Sequence, residues 1–272
     1  MIPGRFEYEV AESVEHAVEL LGSTADAKLI AGGHSLVPAM RLRVARPALL
    51  VDVGRLRELS YVRADGDRLA IGALTRHHDL ATDPVLQERC AIVARAAAMI
   101  GDPQVRHRGT IGGSVAHGDP ASDLPAVLLA LEADFVAHGP DGERTIAAAE
   151  LFRGVFETAL GPQDVLTEIR VPALDGGSSY VKFRRRSQDW ATVGVAAVAA
   201  NGGARVALAN MGATPLRATA TEQALAAGED AAAAAGQAAE GTSPASDTAG
   251  SADYRRHLVT VLARRALEEA LG

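Results

Sequence analysis

Cysteine is almost absent from this 272-residue chain, which contains only Cys90. One thiol cannot form an internal disulfide, and it cannot supply the four thiolates that an iron–sulfur cluster usually needs. It also excludes the cysteine framework of a structural zinc site. The sequence therefore predicts that any redox chemistry here uses a cofactor held by other groups.

Long apolar runs and basic clusters are also missing. No stretch of about 20 uninterrupted apolar residues is present, so no membrane-spanning helix is predicted. The opening sequence, MIPGRFEYEV, lacks the apolar centre of a secretory signal. The basic residues are scattered apart from Arg184-Arg185-Arg186, and the net charge is −7, which disfavours a nucleic-acid binder. These absences predict a cytoplasmic protein with neither a membrane span nor a nucleic-acid partner.

What is present predicts an α+β fold with mixed sheets, because strand and helix patterns alternate irregularly and several hairpin signals occur. Residues 1–55 are predicted to form a small α/β unit, and residues 56–175 a larger one. The glycine- and serine-rich segment Asp175–Ser179 predicts a domain boundary. A smaller α/β domain is then predicted over residues 176–272.

Four further expectations concern local structure. The apolar spacing over Pro84–Ile100 predicts one helix, and the glycine-, histidine- and aspartate-rich segment Arg106–Ser122 predicts a loop. Two strands are predicted to join at Asn201-Gly202-Gly203. The alanine- and glycine-rich segment from Ala226 to Ser251 has little side-chain bulk, which predicts a loosely ordered connection.

Paired glycines occur at two places in similar surroundings. Gly32-Gly33 follows the predicted strand Lys28–Ala31, and Gly112-Gly113 follows Thr110-Ile111. Residues without a Cβ atom can adopt left-handed conformations and point successive backbone N–H groups at a phosphate. A single pair of this kind is more often a plain tight turn, but two pairs, each with a hydroxyl close behind, indicate two phosphates and hence a dinucleotide. Neither pair is a Rossmann or P-loop motif.

Histidines near carboxylates raise the alternative of a metal site. The histidines are His77, His78, His107 and His117, and the nearby carboxylates are Asp79, Asp102, Asp119 and Asp123. Their spacing matches no standard zinc helix, so a metal-dependent hydrolase is disfavoured.

Three segments carry a family resemblance. AGGHSLVPAMRLRVARP, IGDPQVRHRGTIGGSVAHGDPASDLPA and KFRRRSQDWAT, in this order and spacing, resemble the FAD-binding medium subunits of molybdenum hydroxylases, the group that includes carbon monoxide and xanthine dehydrogenases. The resemblance covers about the first 215 residues. It implies a two-part FAD-binding domain of the vanillyl-alcohol-oxidase or PCMH type, followed by a smaller C-terminal domain.

The resemblance also implies which residues contact FAD. The first phosphate loop would be Leu29, Ile30, Ala31, Gly32, Gly33, His34, Ser35 and Leu36. The second would be Thr110, Ile111, Gly112, Gly113 and Ser114.

Five single residues match other cofactor contacts of the family. They are Ile100, Asp123, Leu166, Lys182 and Trp190. Each has a plainer interpretation: Asp123 as a helix N-cap, Lys182 as a solvated strand residue, and the other three as ordinary core.

The resemblance implies the function as well. The chain would carry non-covalent FAD, accept electrons from [2Fe–2S] clusters on a small subunit, and pass them to an external acceptor. A large subunit would hold the molybdopterin cofactor, and the assembly would be a dimer of heterotrimers. No catalytic residue and no metal ligand is expected on this chain. Two alternatives stay open, a stand-alone flavin-dependent oxidoreductase and a non-enzymatic assembly module.

Overall fold

A computed structural model describes residues 2–200 and 202–272, and it divides into three consecutive units. The first unit is a three-stranded parallel sheet with strand order β1-β3-β2. Its elements are β1 (Glu7–Val10), α1 (Val14–Ser23), β2 (Ala27–Ile30), α2 (Leu36–Arg41) and β3 (Leu49–Asp52). Ser13 caps α1 by accepting a hydrogen bond from the His16 amide. The predicted strand before Gly32-Gly33 is confirmed, whereas β1 was not predicted.

The second unit is a five-stranded antiparallel sheet with helices against it, and its strand order is β4-β5-β10-β6-β7. A short 3-10 helix, Arg57–Leu59, precedes it. Its elements are β4 (Val62–Asp65), β5 (Arg68–Gly72), α3 (His77–Thr82), α4 (Pro84–Arg89), α5 (Ala91–Ala98), α6 (Pro103–Arg106), α7 (Ile111–His117), α8 (Asp123–Ala130), β6 (Asp134–Gly139), β7 (Gly142–Ala147), α9 (Ala148–Leu151), β8 (Phe152–Gly154), β9 (Glu157–Thr158) and β10 (Val165–Pro172).

The third unit is a four-stranded antiparallel sheet with strand order β11-β12-β13-β14, covered by helices. Its elements are β11 (Ser178–Phe183), β12 (Val193–Ala200), β13 (Gly203–Ala209), β14 (Leu216–Arg217), α10 (Thr219–Ala226), α11 (Ala231–Ala235) and α12 (Ala252–Leu271). The two predicted strands of the β12–β13 hairpin are confirmed, although Asn201 of the predicted turn lies outside the described residues. Parallel and antiparallel strands are thus segregated into separate sheets of an α+β fold.

Two predictions for the second unit are wrong. The single helix over Pro84–Ile100 is two helices, because Cys90 leaves the helical conformation at φ −156° and ψ 57°. The predicted loop over Arg106–Ser122 contains α7, which begins because Thr110 accepts a hydrogen bond from the Gly113 amide. The start of α7 was not predicted because glycines, which have a low helix propensity, occupy its first turn.

The alanine-rich segment is ordered, contrary to expectation. Ala234, Ala235 and Ala238 are fully buried against α12 in the core of the third unit. At the end of the segment, Asp247 accepts two hydrogen bonds of 2.7 Å from Arg255, whose side chain is buried. Small side chains here permit close helix packing rather than preventing a core.

Helix α8 joins the second unit to the third. All eight of its residues are buried, so it is apolar all round, as expected of a helix enclosed on every side. One core cluster contains α8 residues such as Leu124 and Leu128 together with Tyr180 and Val198 of the third sheet. The cores of the two units are therefore continuous. Within residues 2–200 and 202–272, no helix combines the length and apolarity needed to cross a bilayer.

Candidate functional site

The first glycine pair forms an open loop between β2 and α2. Gly33 has a left-handed φ of +75°, and the chain turns there so that α2 can start at Leu36. Within the described chain, the backbone N–H groups of residues 32–36 meet no protein acceptor, and the loop residues are at least partly accessible. Unpaired N–H groups beside a left-handed glycine are the donors that an anion-binding nest requires.

The first glycine pair touches the segment that leads into the second, although almost 80 residues separate them. A Cβ atom on Gly32 would overlap the Arg108 carbonyl oxygen and lie 2.8 Å from Cα of Gly109. Gly32 is therefore required by a backbone-to-backbone contact and not by its φ value. The fold brings the two predicted motifs together.

The second glycine pair is the start of a helix and not a nest. Neither Gly112 nor Gly113 has a positive φ. Gly112 is buried against Ala73, where an added Cβ atom would lie 2.6 Å from the Ala73 Cβ. Gly113 is exposed, and its only neighbour within 4 Å of an added Cβ is the Thr110 hydroxyl at 2.8 Å.

The backbone N–H groups of the second motif already have partners. The hydrogen bonds are Ile111 N–H to Thr75 O at 3.1 Å, Gly112 N–H to Ala73 O at 2.8 Å, Gly113 N–H to Thr110 Oγ1 at 3.1 Å, and Ser114 N–H to Thr110 O at 3.0 Å. The prediction that this pair offers left-handed backbone donors is therefore wrong. What the motif provides is an accessible surface at Gly113, with no side chain over it.

A buried histidine supports the segment between the motifs. His77, at the start of α3, is 4% exposed, and its backbone N–H donates to Gly109 O at 3.0 Å. An added Cβ on Gly109 would lie 2.7 Å from the His77 ring. Among the described residues, the ring atom Nδ1 finds no hydrogen-bond partner. Burial lowers the pKa of His77 to about 4, helped by the positive charges of Arg76 and Arg106 and by His34.

The lowered pKa predicts a pH-dependent stability. Between about pH 4 and 6.5 the unfolded chain binds a proton at His77 that the folded chain does not, so stability falls as pH falls through this window. A pKa difference of this size corresponds to at most roughly 3 kcal/mol. Urea unfolding of His77→Gln should show a weaker loss of stability over this window than the wild type. His257→Gln, at an exposed position on α12, is the matched control and should keep the wild-type slope.

Asp123 and Lys182 form a buried ion pair. Their side chains are 3% and 2% exposed, and Lys182 Nζ lies 2.8 Å from Asp123 Oδ2. Tyr180 donates its hydroxyl to Asp123 Oδ1 at 2.5 Å. Burial raises the pKa of Asp123, and the ammonium of Lys182 opposes this shift. The interpretation of Lys182 as a solvated residue is wrong, and the N-cap of α8 is Ser122 rather than Asp123.

Ile100 lies in a turn whose carbonyl oxygens accept hydrogen bonds from basic side chains. Lys182 Nζ donates to Met99 O at 3.3 Å, and Arg184 donates to the same oxygen at 3.0 Å. Arg106 donates to Ile100 O at 2.9 Å. These cations neutralise the negative end of α5 and hold the turn against the third unit. Ile100 itself is partly buried.

The two remaining predicted contacts differ in exposure. Leu166 is 8% exposed in the core of the second unit, beside a bulge in β10. Trp190 is 52% exposed in the connection between β11 and β12. The interpretation of Trp190 as ordinary core is therefore wrong.

Sequence reasoning missed Tyr180, and it considered His77 only as a metal ligand and missed its buried role beside Gly109. Residues two apart on a strand point to the same face, so a buried Lys182 already places Tyr180 beside it. This signal was available once Lys182 was singled out. His77 carried no comparable signal, because its burial depends on the long-range contact with Gly109.

The described residues include neither a reactive thiol nor a cluster of metal-binding side chains. Cys90 is fully buried, and burial raises the pKa of its thiol to about 12, so it is inert. No three His, Cys, Asp or Glu side chains among the described residues come together as a metal site.

The fold and the glycine loops define a class, that of flavoproteins with a two-part FAD-binding domain and an additional C-terminal domain. Residues 4–174 match the family described as "FAD binding domain in molybdopterin dehydrogenase", and residues 178–270 match "CO dehydrogenase flavoprotein C-terminal domain".

Similar proteins extend over the whole chain. The carbon monoxide dehydrogenase medium chain of Hydrogenophaga pseudoflava is 45% identical, covering 99% of this chain and 98% of that protein. Subunit alpha of the 6-hydroxypseudooxynicotine dehydrogenase complex of Paenarthrobacter nicotinovorans is 41% identical, covering 100% and 96%. A solved structure of the H. pseudoflava carbon monoxide dehydrogenase, lacking the Mo-pyranopterin moiety of its cofactor, has a TM-score of 0.94 at 46% identity, covering 100% of this chain and 99% of the matched one.

The chain belongs to the family of FAD-binding medium subunits of molybdenum hydroxylases. It is an oxidoreductase subunit with an electron-transfer role, as the sequence motifs predicted.

Proposed function

We propose that this chain holds FAD non-covalently over the loop of residues 29–36, with the cofactor's phosphates on the unpaired N–H groups of residues 32–36. The observation that carries the proposal is this row of donors beside Gly33, which bond to no acceptor in residues 2–200 and 202–272. The second motif, Thr110–Ser114, contributes the accessible surface at Gly113 and the partly accessible Ser114 hydroxyl. FAD held at these residues would supply the redox chemistry of the complex, which is electron transfer from the [2Fe–2S] clusters of a partner subunit to an external acceptor.

Residues elsewhere in the chain are proposed to position and shield the cofactor. Arg106 and Arg184 hold the turn that presents Ile100, while Leu166 and Trp190 are proposed as the other apolar neighbours of the flavin. Asp123 and Lys182 satisfy each other, so we propose that they act mainly by fixing α8 to β11. A polar bond from either one to the cofactor stays a prediction.

The exposed Trp190 gives a direct test of the flavin position, because it is the only tryptophan of the chain. Adding FAD to the apo-protein should quench the tryptophan fluorescence strongly if Trp190 lies against the flavin. Trp190→Phe should lose this signal and still bind FAD. Unchanged fluorescence on FAD binding would place Trp190 away from the ring.

The substrate of the complex is proposed to bind on another chain. Relatives at 33–45% identity are subunits of enzymes named for carbon monoxide, glyceraldehyde, nicotine and caffeine, which range from a diatomic gas to a fused-ring heterocycle. A conserved architecture serving such different molecules fits a large subunit that holds both the molybdopterin and the substrate.

Partner dependence is the test of the function. The isolated chain should keep its FAD, and under anaerobic conditions its flavin absorbance should persist when candidate substrates are added. Adding the molybdenum and iron–sulfur subunits should then bleach it. Bleaching of the isolated chain would instead favour the stand-alone oxidoreductase, and a colourless protein would favour the assembly module.

Three finer statements belong to the same proposal. The domain boundary is placed between residues 175 and 176, which the extents of the two matching families support. The complex is proposed to be a dimer of heterotrimers located in the cytoplasm. Mass measurement of the native complex and cell fractionation test these two statements.

A further inference from the structure

An exposed turn follows the phosphate loop and α2. Leu42 is 66% exposed and Val44 is 82% exposed. Arg41, Arg43 and Arg46 surround them, and all three are exposed. We name residues 41–46 the arginine–aliphatic turn. Isolated exposed aliphatic residues need no explanation, but two of them on one short, strongly basic turn form a distinct surface.

The arginine–aliphatic turn is held in one conformation. Val44 N–H donates to Ala39 O at 2.9 Å, and Arg43 N–H donates to Met40 O at 3.0 Å, which is the bonding pattern of a Schellman motif. Arg43 therefore sits at the position where helices usually place glycine, with φ +60°. A side chain at this position is strained, so the sequence keeps a charge where the fold alone would favour glycine.

The apolar residue of this motif, Val44, does not pack against the rest of the protein. In a Schellman motif the residue after the left-handed position frequently packs back on the helix. Val44 occupies that place and is instead 82% exposed, more than Leu42. The turn thus presents Leu42 and Val44 to solvent on a fixed backbone.

The charge of the turn is opposite to that of the chain. The whole sequence carries 34 acidic and 27 basic residues, with a net charge of −7, whereas this turn has three arginines and no acidic residue. Such a patch attracts an acidic surface, whereas two copies of this chain, each with a net charge of −7, repel each other as whole molecules.

We infer that the arginine–aliphatic turn is the docking surface for the iron–sulfur subunit of the complex. This inference rests on the proposed function. A [2Fe–2S] cluster held by thiolates carries net negative charge, so the face of a subunit that exposes such a cluster complements arginines. The turn also lies one short helix, about 9 Å of axial rise, from the loop proposed to hold the cofactor phosphates.

The test is assembly in cells that produce all three subunits, with the present chain carrying a tag. Leu42→Asp/Val44→Asp should retain FAD and lose the iron–sulfur subunit, with affinity at least about tenfold weaker. Leu271→Asp, at a 43% exposed aliphatic position on α12, is the control and should assemble normally. Flavin absorbance of each purified variant checks that the fold is intact.

A second variant separates charge from backbone geometry. Arg43→Gly keeps the left-handed turn, since glycine accepts φ +60°, and removes one positive charge. It should weaken docking modestly and reduce its dependence on salt concentration. An unchanged salt dependence would remove Arg43 from the interface.

The remaining outcomes distinguish a failure of the proposed function from a failure of this inference. If the wild-type chain itself fails to associate with an iron–sulfur subunit, the proposed function is wrong. If the wild type associates and Leu42→Asp/Val44→Asp does so equally well, this inference alone is wrong. It is equally wrong if that variant loses only self-association, or only binding to vesicles of phosphatidylcholine with one-quarter phosphatidylserine, because the turn would then serve a second copy or a membrane.

Discussion

Gly33→Val is expected to purify without FAD. The native φ of +75° disfavours any side chain by about 1–2 kcal/mol, and a β-branched one more strongly. The added Cβ would also lie 3.3 Å from Val37 Cγ2, so the loop cannot simply keep its path. Its unpaired N–H groups would then point away from the phosphates. We expect FAD affinity to fall by at least about a hundredfold, measured by titrating the apo-protein with FAD.

The matched control is Gly66→Val, in the turn between β4 and β5. Gly66 has a similar φ of +62°, and no atom lies within 4 Å of an added Cβ. It should therefore lose a comparable amount of stability from backbone strain and still purify with FAD. Two equally yellow variants would show that the loop at residues 29–36 does not hold the phosphates.

The first loop could be predicted because its signals are local. The apolar run of β2 and the glycines that stop it are adjacent in sequence, and strand and turn propensities act over that distance. The same holds for the β4–β5 hairpin, whose turn carries Gly66 at positive φ, and for the β6–β7 hairpin, where Gly142 at the start of β7 has a positive φ. The family resemblance then connected this loop to the second motif, and the loop contacts the residues just before that motif, Arg108 and Gly109.

The conformation of the second motif could not be predicted in the same way. Its letters nearly repeat those of the first, yet its amides bond to the carbonyls of Ala73 and Thr75, more than 30 residues earlier. Whether a backbone N–H group is free to bind a ligand depends on such distant partners. A short motif contains no information about them. Gly112 accordingly serves packing against Ala73, where the motif suggested a phosphate contact.

The alanine-rich segment shows a limit of composition. Low side-chain bulk usually means that a segment cannot bury enough surface to fold. Here α12 and the β12–β13 sheet supply the larger side chains, and the alanines fill the narrow space between α11 and α12. The prediction failed because the partner surface lies elsewhere in the sequence.

The Asp123–Lys182 pair is the clearest case in which the structure changes the expected result of a substitution. Sequence similarity alone gives two separate cofactor contacts, in which case Asp123→Asn would weaken FAD binding and leave the apo-protein as stable as before. In the structure the two side chains form a buried ion pair between α8 and β11, completed by Tyr180. Removing one member then leaves the other charge buried without its partner.

Asp123→Ala is therefore expected to destabilise the apo-protein by about 3–5 kcal/mol, the usual cost of breaking a buried pair from one side. The double variant Asp123→Leu/Lys182→Met removes both charges and should recover much of this loss, since apolar replacements of a buried pair are often neutral. Urea unfolding of the apo forms measures both effects. Glu268→Ala, which breaks the exposed pair with Arg264 on α12, is the control and should leave the stability close to that of the wild type. If Asp123→Ala leaves the apo-protein stable and lowers only its affinity for FAD, the carboxylate is a cofactor ligand and the ion pair is incidental.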